Sequence, residues 1–181
     1  MIIHLNGQPG VGKFTVAKHL AEKLNARFID NHSVINTAMV CADHGTPEYT
    51  RIAHELMSYV CKELINRPTN EIMVFTNCLV EEFKADQTRY ELVNNLARER
   101  GDVLVPVLLE CDIEENMRRV QSDGRAEKQK LTDPEILKNR LTGYTFIHPA
   151  DEPMSLQLDN TDLTAEEAAE KIYQHVINIG K

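Results

Sequence analysis

The chain has 181 residues, 42% of them hydrophobic and 27% charged, and a formal net charge of −8 at pH 7. That length suits one domain, spanning 1–181, with a core that needs neither disulfides nor metal. An acidic surface repels nucleic-acid backbones, and no run approaches the ~18 apolar residues that mark a membrane span. Neither nucleic acid nor membrane is expected as a partner.

The first segment, "MIIHLN", reads as a strand, and "GKFTVAKHLAEKLN" as a helix with Val16, Leu20 and Leu24 on one stripe. "ARFID" is a second strand. "EYTRIAHELMSYVCKELIN" is a long helix whose Ile52, Leu56, Tyr59 and Val60 are spaced to face a core. "EIMVFTN" is a third strand, and "RYELVNNLARERG" a helix closed by Gly101. "DVLVPVLLECD" is the most continuous apolar run, expected as a central strand buried on both faces. Pro106 within it lacks a ladder donor, so a bulge or a missing N–H is expected there.

"IEENMRRVQ" returns to helix, followed by the polar stretch "SDGRAEKQKLTD", read as a flap over about 122–132. Asp133 with Pro134 signals a new helix start. "MSLQLDN" is a fifth strand, and "TAEEAAEKIYQHVINIG" a last helix boxed by Thr164 and Glu167. Strands alternating with amphipathic helices describe an α/β protein with a parallel sheet and helices on both sides.

The four cysteines, Cys41, Cys61, Cys78 and Cys111, are scattered without a C-x-x-C pair. Reduced, mostly buried thiols are expected. The chain opens on an apolar strand with no basic leader before it, so a cytoplasmic location is expected.

Chemistry concentrates in "LNGQPGVGKFT". Gly7, Gly10, Val11, Gly12 and Lys13 lie between a predicted strand and a predicted helix, the context of a phosphate-binding P-loop. Its glycines let backbone N–H groups converge on phosphate oxygens, the helix N-terminus adds partial positive charge, and the lysine reaches the terminal phosphates. ATP is the expected ligand. The residue after the lysine ordinarily supplies a hydroxyl to Mg²⁺, and here it is Phe14. Thr15 follows one position on, suited to the α-phosphate but turned by about 100° from the metal position. A metal would then rest on water, phosphate and a carboxylate. Asp30, at the end of the second strand, is the candidate carboxylate, with capping of the following segment as its structural alternative. His32 is open to base, substrate-contact and surface roles.

With these residues in place, the chain resembles the P-loop small-molecule kinases, shikimate kinase and its gluconate kinase-like relatives, over nearly its whole length. The resemblance implies a P-loop three-layer sandwich with a five-stranded parallel sheet in the order 2-3-1-4-5, and a lid closing over ATP. Shikimate kinases carry two aspartates, D-x-D, after the second strand, the first supporting Mg²⁺ and the second contacting substrate. Asp30-Asn31-His32 keeps the first and replaces the second. The substrate arginines are matched by Arg51 and Arg140, and the two lid arginines by Arg118 near adenine and Arg125 at the phosphates. The family's glycine triplet is replaced by Thr76-Asn77-Cys78, so the acceptor is expected to differ from shikimate.

The flap has a physical reading of its own. Arg118, Arg119, Arg125, Lys128 and Lys130 place five of the chain's 20 basic residues within thirteen positions, and phosphoryl transfer depends chiefly on positioning and charge neutralisation. The expected activity is transfer from MgATP to a small-molecule hydroxyl, with Lys13, Asp30 and Arg125 as catalytic groups. Two alternatives stay open: a nucleotide-binding regulatory protein without turnover, and a nucleoside or nucleotide kinase.

Overall fold

A computed structural model describes residues 1–121, Asp133 and residues 143–179. The expected flap at 122–132, with Arg125, Lys128 and Lys130, lies outside the described residues, as do Pro134 and Arg140. In chain order the elements are β1 (Ile2–Gly7), α1 (Lys13–Leu24), β2 (Arg27–Asp30), α2 (Asn31–Cys41), α3 (Pro47–Ile65) and β3 (Met73–Thr76). There follow α4 (Lys84–Arg100), β4 (Leu104–Glu110), α5 (Ile113–Val120), β5 (Leu156–Asp159) and α6 (Ala165–Ile179). Among the described residues the strands form one five-stranded sheet, ordered β2-β3-β1-β4-β5, with every pairing parallel.

Strand β1 lies at the centre and is buried along its whole length. Its alternation sends Ile3 and Leu5 to one face, where they meet Val16 and Leu20 of α1 and Ile172 and Val176 of α6. Ile2 faces the other way, toward Met57 and Cys61 of α3 and Val93 and Leu96 of α4. Each large apolar side chain so buried is worth roughly 1.5–3 kcal/mol. The ends of these strands are thereby fixed, and the loops leaving them inherit their positions. No helix among the described residues is long and apolar enough to cross a membrane.

Local signals account for several boundaries. Gly101 takes φ 67 at the end of α4 and donates back to the helix. Thr164 and Glu167 form the capping box, with Glu167 N donating to Thr164 Oγ1 at 3.2 Å and Thr164 N to Glu167 Oε2 at 2.8 Å. Of the cysteines, Cys61 and Cys111 are buried and Cys41 is exposed. Burial pushes the Cys61 thiol up to about 12.

Three expectations need correction. In α3 the buried stripe is Tyr49, Ala53, Met57, Cys61 and Leu64, whereas Tyr59 is 63% exposed. Ile52, Leu56 and Val60 only flank that stripe. Helix α4 begins at Lys84 rather than Arg89, and α2 is a full helix where the sequence offered only a cap. Pro106, by contrast, meets the second of its two expectations, a missing ladder N–H without a bulge: β1 and β4 pair without interruption from Ile2↔Leu104 to Gly7↔Leu109. Ile2 N donates to Val103 O and Asn160 N to Glu110 O, so odd residues of β4 bond toward β1 and even ones toward β5. The N–H that Pro106 lacks therefore faces β5, whose pairing starts only at Val107↔Leu156.

Candidate functional site

The turn between β1 and α1 needs glycine for steric reasons. Gly7, Gly10 and Gly12 have φ of 143°, 92° and 97°, values disfavoured for other residues. A Cβ on Gly7 would run into the Leu109 carbonyl, and one on Gly10 into Asn116 Oδ1 and Val120 Cγ2. Val11, at the crown, is fully buried. Its carbonyl accepts from Asn160 Nδ2 at 2.9 Å and Arg119 Nη1 at 3.3 Å. Asn116 Nδ2 donates to Gln8 Oε1 at 2.7 Å. The loop is thus clamped from α5 and from the turn after β5. Lys13 folds over it, its Nζ donating to Gly7 O at 2.7 Å and Gln8 O at 2.6 Å.

Phe14 packs its ring against Phe28 of β2, centroids 5.4 Å apart. Beside it, at the ends of the two neighbouring strands, Thr76 Oγ1 donates to Asp30 Oδ1 at 2.8 Å. Asp30 occupies the N-cap position of α2 but makes no side-chain capping bond, so its carboxylate faces Thr76 instead.

A cleft of about 1040 Å³ joins this loop to the opposite wall. Lys13, Phe14, Thr15, Asp30 and His32 line it, as do Ile35 and Met39 of α2, Tyr49 of α3 and Arg89 of α4. The Arg89 side chain is only 12% exposed and pairs with Asp86 at 3.6 Å. Phe83 and Tyr144 meet at the mouth, ring centroids 5.1 Å apart.

Buried polar groups of β1 hold the wall behind the cleft. Asn6 donates to Leu79 O at 2.8 Å and Ile147 O at 2.9 Å, and accepts from Leu79 N at 2.8 Å. His4 Nε2 lies 2.9 Å from Asn77 Oδ1. That oxygen only accepts, so the ring is held as its Nε2–H tautomer. Burial lowers the His4 pKa to about 4, partly offset by the Asn77 bond.

The expected residues separate into those brought together and those left apart. Gly7, Gly10, Val11, Gly12, Lys13, Phe14 and Thr15 form the loop and helix start, and Asp30 and His32 reach the same cleft. Arg51 does not: it lies on the exposed side of α3, bidentate to Glu55 at 2.8 and 2.9 Å. Arg118 is 76% exposed and bound to Glu115 at 2.7 Å. Hydrogen bonds from Arg118 and then Arg119 hold the Glu115 carboxyl down at about 2. Its neighbour Arg119 turns inward to Asn160 and Thr161.

Arg89, Asn116 and Asn160 escaped the sequence reading, which met Thr76 only in the replaced glycine triplet and Arg119 only in the basic cluster of the flap. Asn160 follows a strand end in "LDN", where a polar residue often meets a ligand loop. Arg89 carries no local signature at all.

The donor set fits Mg²⁺. Among the described residues no three His, Cys, Asp or Glu side chains gather closely enough to hold a metal. Mg²⁺, however, commonly takes one or two carboxylates beside waters and phosphates, and Asp30, lining the same cleft as the P-loop, could provide one.

Comparison with known proteins agrees with this geometry. The profile of a family described as AAA domain matches residues 3–141. A gluconokinase from Sinorhizobium meliloti 1021 shares the fold at TM-score 0.66 and 16% identity, over 98% of this chain and 91% of that one. The Mycobacterium tuberculosis APS kinase CysC, in complex with AMPPNP and APS, does so at 0.62 and 15%, over 97% and 96%. A shikimate kinase from Acinetobacter baumannii in complex with shikimate matches at 0.57 and 19%, over 98% and 93%. No curated protein matches the sequence. The sheet order is the one the kinase resemblance implied, and with its P-loop and the match over residues 3–141 the chain belongs to the AAA domain family.

Proposed function

We propose that this is a cytoplasmic ATP-dependent phosphotransferase acting on a small-molecule hydroxyl. The observation that carries the reading is one continuous cleft lined both by the phosphate loop and by the Arg89 guanidinium. It is supported by fold neighbours that are kinases of small molecules, one of them holding AMPPNP.

Backbone N–H groups of the loop and Lys13 bind the triphosphate, and Arg125 steadies its terminal group. Mg²⁺, held on the protein side by Asp30, supplies charge neutralisation when bound. The acceptor rests against Tyr49 and Met39, its hydroxyl directed to the γ-phosphorus and its proton passing to His32. An O–P bond to the acceptor forms as the bond to ADP breaks. Arg89 takes the place expected of Arg51, with a fork suited to a carboxylate or phosphate on the acceptor. Arg118 is assigned to the adenine side and Arg140 to the acceptor.

Phe14 favours a second reading, a nucleotide-binding protein without turnover. ADP release from ATP over a panel of hydroxy acids, sugar acids and nucleosides separates the two, with Lys13→Ala as the blank. Release stimulated by one acceptor class, and lost in the blank, supports the kinase. Tight ATP binding with no stimulated release by any class supports the second reading.

A further inference from the structure

Position 14, where a P-loop ordinarily offers its metal hydroxyl, is closed by an aromatic pair: the Phe14 ring lies on Phe28 and cannot coordinate anything. Thr15 points elsewhere, about 100° around the helix. A hydroxyl does stand near, but on another strand. Thr76 ends β3, in register with Leu5 of the loop-bearing strand and with Asp30 of β2. Its backbone thus lies between the strand that launches the P-loop and the strand that carries the carboxylate.

Its chemistry suits a ligand. The side chain lines the cleft although the residue is only 3% exposed. A hydroxyl has one hydrogen to donate and two lone pairs. The hydrogen goes to Asp30 Oδ1 at 2.8 Å, and one lone pair meets Asn31 N at 3.4 Å, near the limit of a hydrogen bond. The second lone pair stays available without breaking the bond to Asp30. Donation to Asp30 also orients the carboxylate, as groups behind metal ligands commonly do.

We propose that Thr76, paired with Asp30, supplies to the Mg²⁺–ATP complex the hydroxyl that Phe14 has removed from the loop. The metal position is then served from β3 and β2 instead of from the start of α1. This rests on the nucleotide-binding reading above. The plainer role for Thr76, a bolt between β2, β3 and the start of α2, makes a different prediction: its loss would weaken nucleotide binding alike with and without metal.

The test is calorimetric titration with AMPPNP, in Mg²⁺ and in excess chelator, for the unaltered protein, Thr76→Val and Thr76→Ser. Electron paramagnetic resonance of Mn²⁺ in the same complexes reads the metal directly. Thr76→Val is expected to lose about 10- to 100-fold of the Mg²⁺ enhancement, the range for altering groups around a metal. Its affinity in chelator should stay unchanged, and Thr76→Ser should keep both. Full enhancement in Thr76→Val, or an equal loss in both conditions, overturns the assignment. An unaltered protein that binds AMPPNP indifferently to Mg²⁺ also overturns it, while leaving the nucleotide reading intact. One that binds no AMPPNP at all overturns both.

Discussion

Asn6 grips Leu79 from both sides: its amide nitrogen donates to the Leu79 carbonyl and its amide oxygen accepts from the Leu79 N–H, each at 2.8 Å. The two residues are 73 positions apart, and the same nitrogen reaches Ile147 O. One side chain of β1 therefore sets the loop after β3 and the segment that bridges to it at Val80↔Phe146. Asn6→Leu has nearly the right volume but takes the partner from Leu79 N–H and Ile147 O, while Leu79 O keeps the Ile147 N–H at 3.0 Å. A loss of about 2–4 kcal/mol is expected in urea denaturation, since each unsatisfied group costs ~1–3 kcal/mol. A loss below about 0.5 kcal/mol would contradict the clasp.

Gly10→Ala tests the loop's shape. Its φ of 92° costs an alanine about 1–2 kcal/mol, and the new methyl meets Asn116 and Val120, adding ~1–3 kcal/mol of overpacking. Thermal denaturation should show a clear fall in Tm, and ATP titration a binding loss larger than the stability loss explains.

Two arginines that look alike in sequence should behave oppositely. Arg89→Ala is expected to raise the acceptor KM by about 10- to 100-fold, as for a lost charged hydrogen bond of ~1.5–3 kcal/mol, with ATP affinity unchanged. Arg51→Ala should change neither, because its exposed pair with Glu55 is worth at most ~1 kcal/mol. Steady-state kinetics on both variants decides the matter.

Acid should weaken the fold through His4. Its folded pKa of about 4 lies below the ordinary 6.5, so the unfolded chain binds the proton more readily. The stability contribution is complete above pH 6.5, declines below it, and is lost as pH falls to 4. Between pH 7 and pH 5 the expected loss is about 2 kcal/mol. His4→Gln should flatten that part of the stability–pH curve; an unchanged slope would show that other groups cause it.

Strands and the phosphate loop were legible because their signals are local. Alternation, Gly spacing and the lysine are carried within a few residues, as is the Thr164–Glu167 box. Helix α2 was not legible as a helix, since only Val34 and Ala38 are buried along it and its apolar stripe is faint. The stripe of α3 was misread by a fraction of a turn: Tyr49 and Ala53 are buried by α2, a neighbour the sequence had not revealed. Arg51 was chosen by resemblance, whereas Arg89 lines the cleft through packing that no local pattern encodes. Thr76 gained its importance from register with Asp30, 46 positions away, which no local pattern encodes.

The two carbonyls that hold Lys13 have a consequence for ligand choice. An arriving anion does not meet a bare ammonium: two of its three N–H donors already serve Gly7 O and Gln8 O, at 2.7 and 2.6 Å. The loop thus carries its own competitor, and every ligand is measured against it. Weakly charged anions would gain little by exchanging one set of oxygens for another, whereas a triphosphate, by its greater charge, would gain more. Discrimination among phosphates begins with the lysine's prior engagement, before any contact with base or sugar.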